Sequence, residues 1–192
     1  MARPARHWLG ASFVLIVTLF GCGSQVAENG GKHPDYAKAL AGAPAPLAAI
    51  HRQANDLLPG GVDAYERRIA ALRGYPIVVN VWASWCGPCR FEFPHFQRAA
   101  ARYGKRVAFL GIDSQDSGAA AATFLESEPV PYPSYEDPDQ EIADSVDAFA
   151  LPATAFYDRK GDLVFTKQGN YEDEDELRAD VERYALGGSE SG

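Results

Sequence analysis

The chain has 192 residues, 46% of them apolar and 11% aromatic, which supports one domain with a sizeable core plus extensions. Its formal charge of −8 argues against the clustered basic footprint of a nucleic-acid binder. Three cysteines are too few for a disulfide scaffold, and they divide into a lone Cys22 and a close pair, Cys86 and Cys89.

Residues 1–22 read as a targeting segment. Arg3 and Arg6 form a positive start, and the apolar run Leu9 to Phe20 is too short to span a bilayer as an ordinary helix. The run ends in Leu19-Phe20-Gly21-Cys22, which resembles a bacterial lipoprotein box, with Phe20 standing where a small residue is usual. An odd cysteine in an exported protein is a liability unless something caps it, and lipidation of Cys22 would do so. The other reading is an ordinary signal peptide that happens to carry a cysteine. Residues 23–46, with Pro34, Pro44 and Pro46 among Gly and Ala, read as a flexible tether. A domain over 47–186 and a disordered tail over 187–192 complete the division.

Within the domain, Leu47, Ile50, Ala54, Leu57 and Leu58 form one helical stripe over 47–58, stopped by Pro59-Gly60-Gly61. A second helix is expected over 62–72. Ile77-Val78-Val79-Asn80-Val81 is a buried strand, and Pro88 to Tyr103 a helix in which Pro94 predicts a kink. A second buried strand covers 107–112 and ends at Asp113. A helix over 119–126, a short extended segment over 132–135 and a helix over 140–149 follow. A β-hairpin formed by the segment up to Tyr157 and by 163–168, with Asp158 to Asp162 as its turn, leads to a last helix over 173–185. Acids crowd that helix's N-terminus, as its dipole prefers.

The chemistry concentrates where the first buried strand turns into a helix, at Trp82-Ala83-Ser84-Trp85-Cys86-Gly87-Pro88-Cys89-Arg90. Unpaired N–H groups of a first helical turn and the positive end of its dipole favour a thiolate at Cys86. Cys86 is expected to be exposed at the helix start and to act as the nucleophile. Cys89, shielded within the first turn, is in reach to close an internal disulfide and release a bound partner. Pro88 occupies a position that a helix tolerates. A zinc site would need two more ligands, and His95, six residues past Cys89, falls on a different helix face. His33 and His51 read as surface residues. A purely structural bridge would close too short a loop to stabilise much. No metal and no cofactor are expected.

The string W-x-x-W-C-G-P-C resembles the thioredoxin active site, and the order of elements resembles a thioredoxin fold. The expected class is therefore α/β: a central mixed sheet flanked by helices, with an inserted helical stretch over 114–149 and extra N-terminal helices. Over roughly Tyr75 to Tyr184 the chain is similar to the TlpA- and ResA-like exported thioredoxins, through C-x-x-E-x-P (Cys89, Glu92, Pro94) and Leu151-Pro152-Ala153-Thr154 at the family's cis-proline position. The resemblance implies that Pro152 faces the cysteine pair. The backbone at Leu151 would then pair with an extended substrate, and Trp85, Gly87 and Pro88 would complete the contact surface. It also implies a departure at Asn80, where thioredoxin carries a buried acid. Glu92, three residues after Cys89 on the same helix face, is then expected to have a raised pKa and to serve as general base for the resolving thiol. Its other reading is a glutamate that only complements the helix dipole.

The implied activity is reduction of protein disulfides by a protein anchored through Cys22 to the outer face of the bacterial cell membrane. Its partners would be thiol or disulfide proteins, apocytochrome c among the candidates, and a transmembrane thiol-reducing electron donor. Two other readings stand beside it. One is an oxidase using the same cysteines in reverse. The other is a copper-binding module, for which C-x-x-C and the lack of a histidine beyond His95 are a poor match. The context of the cysteines does not fit a peroxidase.

Overall fold

The computed structural model describes residues 33–187 together with Met1. The readings placed on the targeting segment and Cys22, on the tether up to residue 32, and on residues 188–192 lie outside the described residues.

Six strands form one mixed sheet: β1 (Leu57–Leu58), β2 (Ile77–Trp82), β3 (Ala108–Ser114), β4 (Ser134–Asp137), β5 (Ala153–Tyr157) and β6 (Leu163–Gln168). Their order is β1-β4-β3-β2-β5-β6. The first four run parallel, while β5 and β6 are antiparallel to their neighbours. This is a thioredoxin-like fold. Every residue of β2 and β3 is buried, which is why both read as largely apolar runs and not as alternating strands.

The helices are α1 (Tyr36–Ala39), α2 (Ala45–His51), α3 (Gly61–Ala71), α4 (Gly87–Tyr103), α5 (Gly118–Ser127), α6 (Glu141–Ser145) and α7 (Glu174–Asp180), the last continued by a π-helical turn over Val181–Ala185. Alternation along β2 sends Ile77, Val79 and Val81 to one face of the sheet and Val78, Asn80 and Trp82 to the other. On the first face Tyr65 of α3 packs edge-on against Tyr135 and hydrogen-bonds the Tyr157 hydroxyl at 3.0 Å. On the second, Trp82 meets Phe93 of α4 and Phe124 of α5. α7 packs on α4, with Phe96 against Tyr171 and Arg98 paired to Glu174 at 2.6 Å.

Three expectations are corrected. The tether does not extend to residue 46. From Asp35, whose side chain caps α1, the chain is folded onto the domain: the Tyr36 hydroxyl bonds the Pro129 carbonyl at 2.9 Å, and Leu40 is buried. Two apolar anchors outweigh the Gly, Ala and Pro around them. The helix expected over 47–58 stops at His51, and Leu57-Leu58 pairs with Ser134 and Tyr135 as β1, because β4 would otherwise present an unpaired edge. Asn55, in the left-handed conformation, makes the turn between them and accepts the Val130 N–H at 2.7 Å. The helix expected over 140–149 ends at Ser145. Asp147 takes positive φ, and Gln168 on β6 bonds both the Asp147 carbonyl and the Phe149 N–H, holding the following loop open. α4, by contrast, is one 17-residue helix across Pro94.

The Trp82 face depends on a close approach. Trp82 Nε1 donates to Ser134 Oγ at 3.1 Å across Gly111, and a Cβ at Gly111 would collide with that Oγ and lie 3.0 Å from the indole nitrogen. Gly111→Ala should therefore destabilise the protein by about 1–3 kcal/mol, read as a lower urea midpoint with an unchanged m-value. An unchanged midpoint would show that β4 yields at this contact.

Candidate active site

Cys86 is the N-cap of α4, in extended conformation, and Cys89 lies in the first turn. The two are joined by a disulfide, with Cα atoms 5.3 Å apart, and Cys86 Sγ also accepts the Cys89 N–H at 3.2 Å. The sulfur therefore receives one of the amide groups that a helix start leaves unpaired, which favours negative charge at Cys86 once the bridge opens. Cys89 has no exposed surface. Cys86 retains only 3%, so in the disulfide form it is not the exposed residue its position suggested. The bond to Cys89 and the amide contact hold its sulfur against the helix start. Exposure belongs to its neighbours: Trp85 is 60% exposed, and Gly87, Pro88 and Phe91 are on the surface.

The loop before Cys86 is pinned from the β3 side. Asp116 Oδ2 accepts the Ser84 N–H at 2.6 Å, and Trp85 Nε1 donates to the Gln115 carbonyl at 2.9 Å. Gln115 reaches that position with positive φ. In the sequence this segment carries one signal, a short polar stretch directly after a buried parallel strand, and such strand ends build sites.

The Leu151–Pro152 bond is cis. Pro152 is buried, Leu151 half-buried, and Ala153 pairs with Val81 at the same end of β2 from which the Cys86 loop departs. The sheet thus brings the cysteine pair and the Pro152 loop to one edge.

Glu92 is fully buried one turn beyond Cys89. Its Oε2 accepts the Tyr171 N–H at 3.0 Å, while Oε1 has no partner among the described residues. Burial pushes its pKa up to about 8, against the opposing pull of the Tyr171 amide and of Lys167. Lys167 is held over the Tyr171 ring at 4.5 Å and donates to the Asn170 carbonyl at 2.8 Å. Asn80 is buried on the face of the sheet that α4 covers. Sequence reading did not find Tyr171 or Lys167, which lie some eighty residues away and arrive through the terminal hairpin. A second carboxyl, Asp113 at the end of β3, is also raised to about 8, by burial first and then by Asp116. Among the described residues no group of three or more His, Cys, Asp or Glu side chains has an arrangement that would hold a metal ion.

The fold and site define a thioredoxin-like protein with a disulfide-bonded C-x-x-C pair at the start of the helix after its central strand. The chain belongs to the AhpC/TSA family, whose profile matches residues 50–166. It is similar to the thiol:disulfide interchange protein DsbE of Pseudomonas fluorescens biotype C, at 39% identity over 93 residues, 48% of this chain and 51% of that protein. It is also similar to the thiol-disulfide oxidoreductase ResA of Bacillus subtilis, at 28% over 97 residues, 50% and 54% of the two chains. The chain thus spans about half the length of these curated relatives. Among solved structures, DsbF of MTB superposes with a TM-score of 0.55 at 30% identity, covering 59% of this chain and 84% of that one. A secreted Mycobacterium tuberculosis disulfide oxidoreductase homologous to E. coli DsbE gives 0.53 at 27%, covering 59% and 85%.

Glu92 offers a test of the buried-carboxyl description. Unfolded, it ionises near its ordinary value of 4.5; folded, near 8. Between these the unfolded chain has lost a proton that the folded protein keeps, so this residue's contribution to stability falls as pH rises through that window and levels off above it. In Glu92→Gln the contribution is absent. The melting temperature of wild type minus that of the variant, both oxidised, should decline from about pH 4.5 to about 8 and then flatten. A difference independent of pH would mean that Glu92 is already ionised in the folded protein.

Proposed function

We propose that this protein is a reductant of protein disulfides. The observation that carries the proposal is the Cys86–Cys89 bridge at the N-terminus of α4, with one sulfur at the helix cap and the other fully enclosed. In the reduced enzyme the Cys86 thiolate attacks one sulfur of a substrate disulfide, forming a mixed disulfide and expelling the first substrate thiolate. Cys89, deprotonated, then attacks Cys86 Sγ and expels the second. Two electrons and two protons pass to the substrate, and the enzyme is left with the Cys86–Cys89 disulfide.

Glu92 is the proposed base for the second step. A carboxyl with a pKa of about 8 gains base strength where a thiol needs it, and one oxygen is free of hydrogen bonds among the described residues. Trp85, Gly87 and Pro88 on one side and Leu151 with Pro152 on the other form the surface proposed to take the substrate backbone. DsbE and ResA relatives support thiol–disulfide exchange as the reaction class. The Gly87-Pro88 dipeptide favours the reducing direction. We further propose that Cys22 carries a lipid that fixes the protein to the outer face of the cell membrane, that a transmembrane thiol-reducing carrier regenerates the dithiol, and that proteins of cytochrome c maturation are among its clients.

Equilibration of the dithiol against a glutathione buffer tests the direction. A midpoint near thioredoxin's value of about −270 mV supports a reductant, whereas one near about −120 mV marks an oxidant. Cys89→Ser should accumulate mixed disulfides through Cys86, seen as slower bands on non-reducing gels that collapse with reductant; their absence would remove the assigned roles.

The anchor is tested separately. Cys22→Ala should leave the protein in the soluble fraction or unprocessed. A variant that is cleaved and yet remains with the membrane would overturn lipidation at Cys22.

A further inference from the structure

The edge of the sheet that presents Cys86 and Pro152 continues across the ends of β3 and β4, where it opens into a cavity of about 380 Å³. Six of its lining residues are acidic: Asp113, Asp116, Glu136, Asp137, Asp139 and Glu141. None is basic, and the ion pairs between described residues lie elsewhere, at Arg98–Glu174 and Arg178–Asp175. Two of the acids are used structurally. Asp137 caps α6, accepting from the Ile142 and Ala143 amides, and Asp116 holds Ser84. Asp113 is different. It is 2% exposed, and its Oδ1 has no hydrogen-bond partner among the described residues, although it faces the cavity among Asp116, Glu136 and Asp137. A buried acceptor left unpaired is costly, and one set among several carboxyls is suited to a cationic donor.

Resting on the disulfide-reductase reading, we propose that this cavity is a subsite for a lysine or arginine side chain of the substrate polypeptide, close in sequence to the cysteine that Cys86 attacks. Three observations select such a side chain over a bare ion. The carboxylates are not grouped as metal ligands. The cavity is far larger than an ion, and its remaining wall is Pro59, Gly60, Gly61, Gly118 and Pro138, a surface on which the methylene stem of a long basic side chain can lie. The cavity also shares Asp116 with the Ser84 contact that sets the redox loop, so a substrate laid along this edge meets both places. Asp113 holds its proton at neutral pH because it is buried beside Asp116, Glu136 and Asp137. The arriving cation takes the place of that proton, which passes to solvent.

The test uses two synthetic disulfide peptides, identical except for Lys or Gln beside the attacked cysteine, and measures kcat and KM with the full chain. The wild type should prefer the Lys peptide about tenfold in kcat/KM, through KM, with the preference shrinking as salt is added. Asp113→Asn combined with Glu136→Gln should bring the ratio close to one while leaving turnover of the Gln peptide unchanged. Asp139→Asn, at the exposed rim, should lower the ratio in the same direction without risk to the core. Equal KM values for the two peptides in wild type, or a preference that survives all three substitutions, would overturn the subsite while leaving the reductase reading intact. If neither peptide is reduced, the reductase reading falls, and the subsite with it.

Discussion

The structure is organised around the passage from β2 into α4. A strand buried on both faces delivers Cys86 to the cap of a helix whose Cys89 amide points at its sulfur. Neither half works alone. The strand needs β3 and β5 as partners on either side to hold its end in place, and the helix needs its N-terminus clear of other acceptors so that the amide remains for sulfur. The contacts of Asp116 with Ser84 and of Trp85 with Gln115 then remove the freedom left in the connecting loop. A thiolate formed at Cys86 is stabilised by groups that are already in place.

Two carboxyls near this passage are raised to about 8, for related but distinct reasons. Glu92 is enclosed between α4 and the segment entering α7, where burial outweighs one amide donor and the more distant Lys167 charge. Asp113 is crowded by other acids as well as buried. The first is a buried group one turn beyond Cys89, proposed above as the base for the resolving thiol. The second belongs to a cluster whose like charges are relieved by a proton or by a visiting cation. The same titration value therefore corresponds to different chemistry, and the neighbours of each group decide which.

The terminal hairpin joins these parts. β5 starts directly after the buried Pro152 and pairs with β2. β6 supplies Gln168, which spreads the loop over Asp147 and Phe149, and Lys167, which braces Tyr171. Tyr171 in turn gives its amide to Glu92. One antiparallel unit thus shapes the proposed substrate surface on one side of the cysteine pair and tunes the buried acid on the other.

Much of this was legible in the residues themselves. Ile77 to Val81 is β-branched and apolar apart from Asn80, and Cys86-Gly87-Pro88-Cys89 lies between it and a helical pattern, so the strand, the helix and the reactive pair follow from local composition and spacing. The buried state of Glu92 was also within reach, since it shares a face with Cys89. Tertiary structure decided the rest. Leu57 and Leu58 continue a helical stripe, yet they are a strand because β4 needs a partner along its edge, a requirement set by residues nearly eighty positions away. Tyr36 and Leu40 look like part of a tether, and they are docked because the domain offers the Pro129 carbonyl and an apolar seat. The acidic cavity is lined from three stretches of sequence, 59–61, 113–118 and 136–141, which lie far apart along the chain. Only the parallel arrangement of β3 and β4 sets their ends side by side, and that proximity gathers six carboxyls into one acidic wall in which Asp113 keeps its proton.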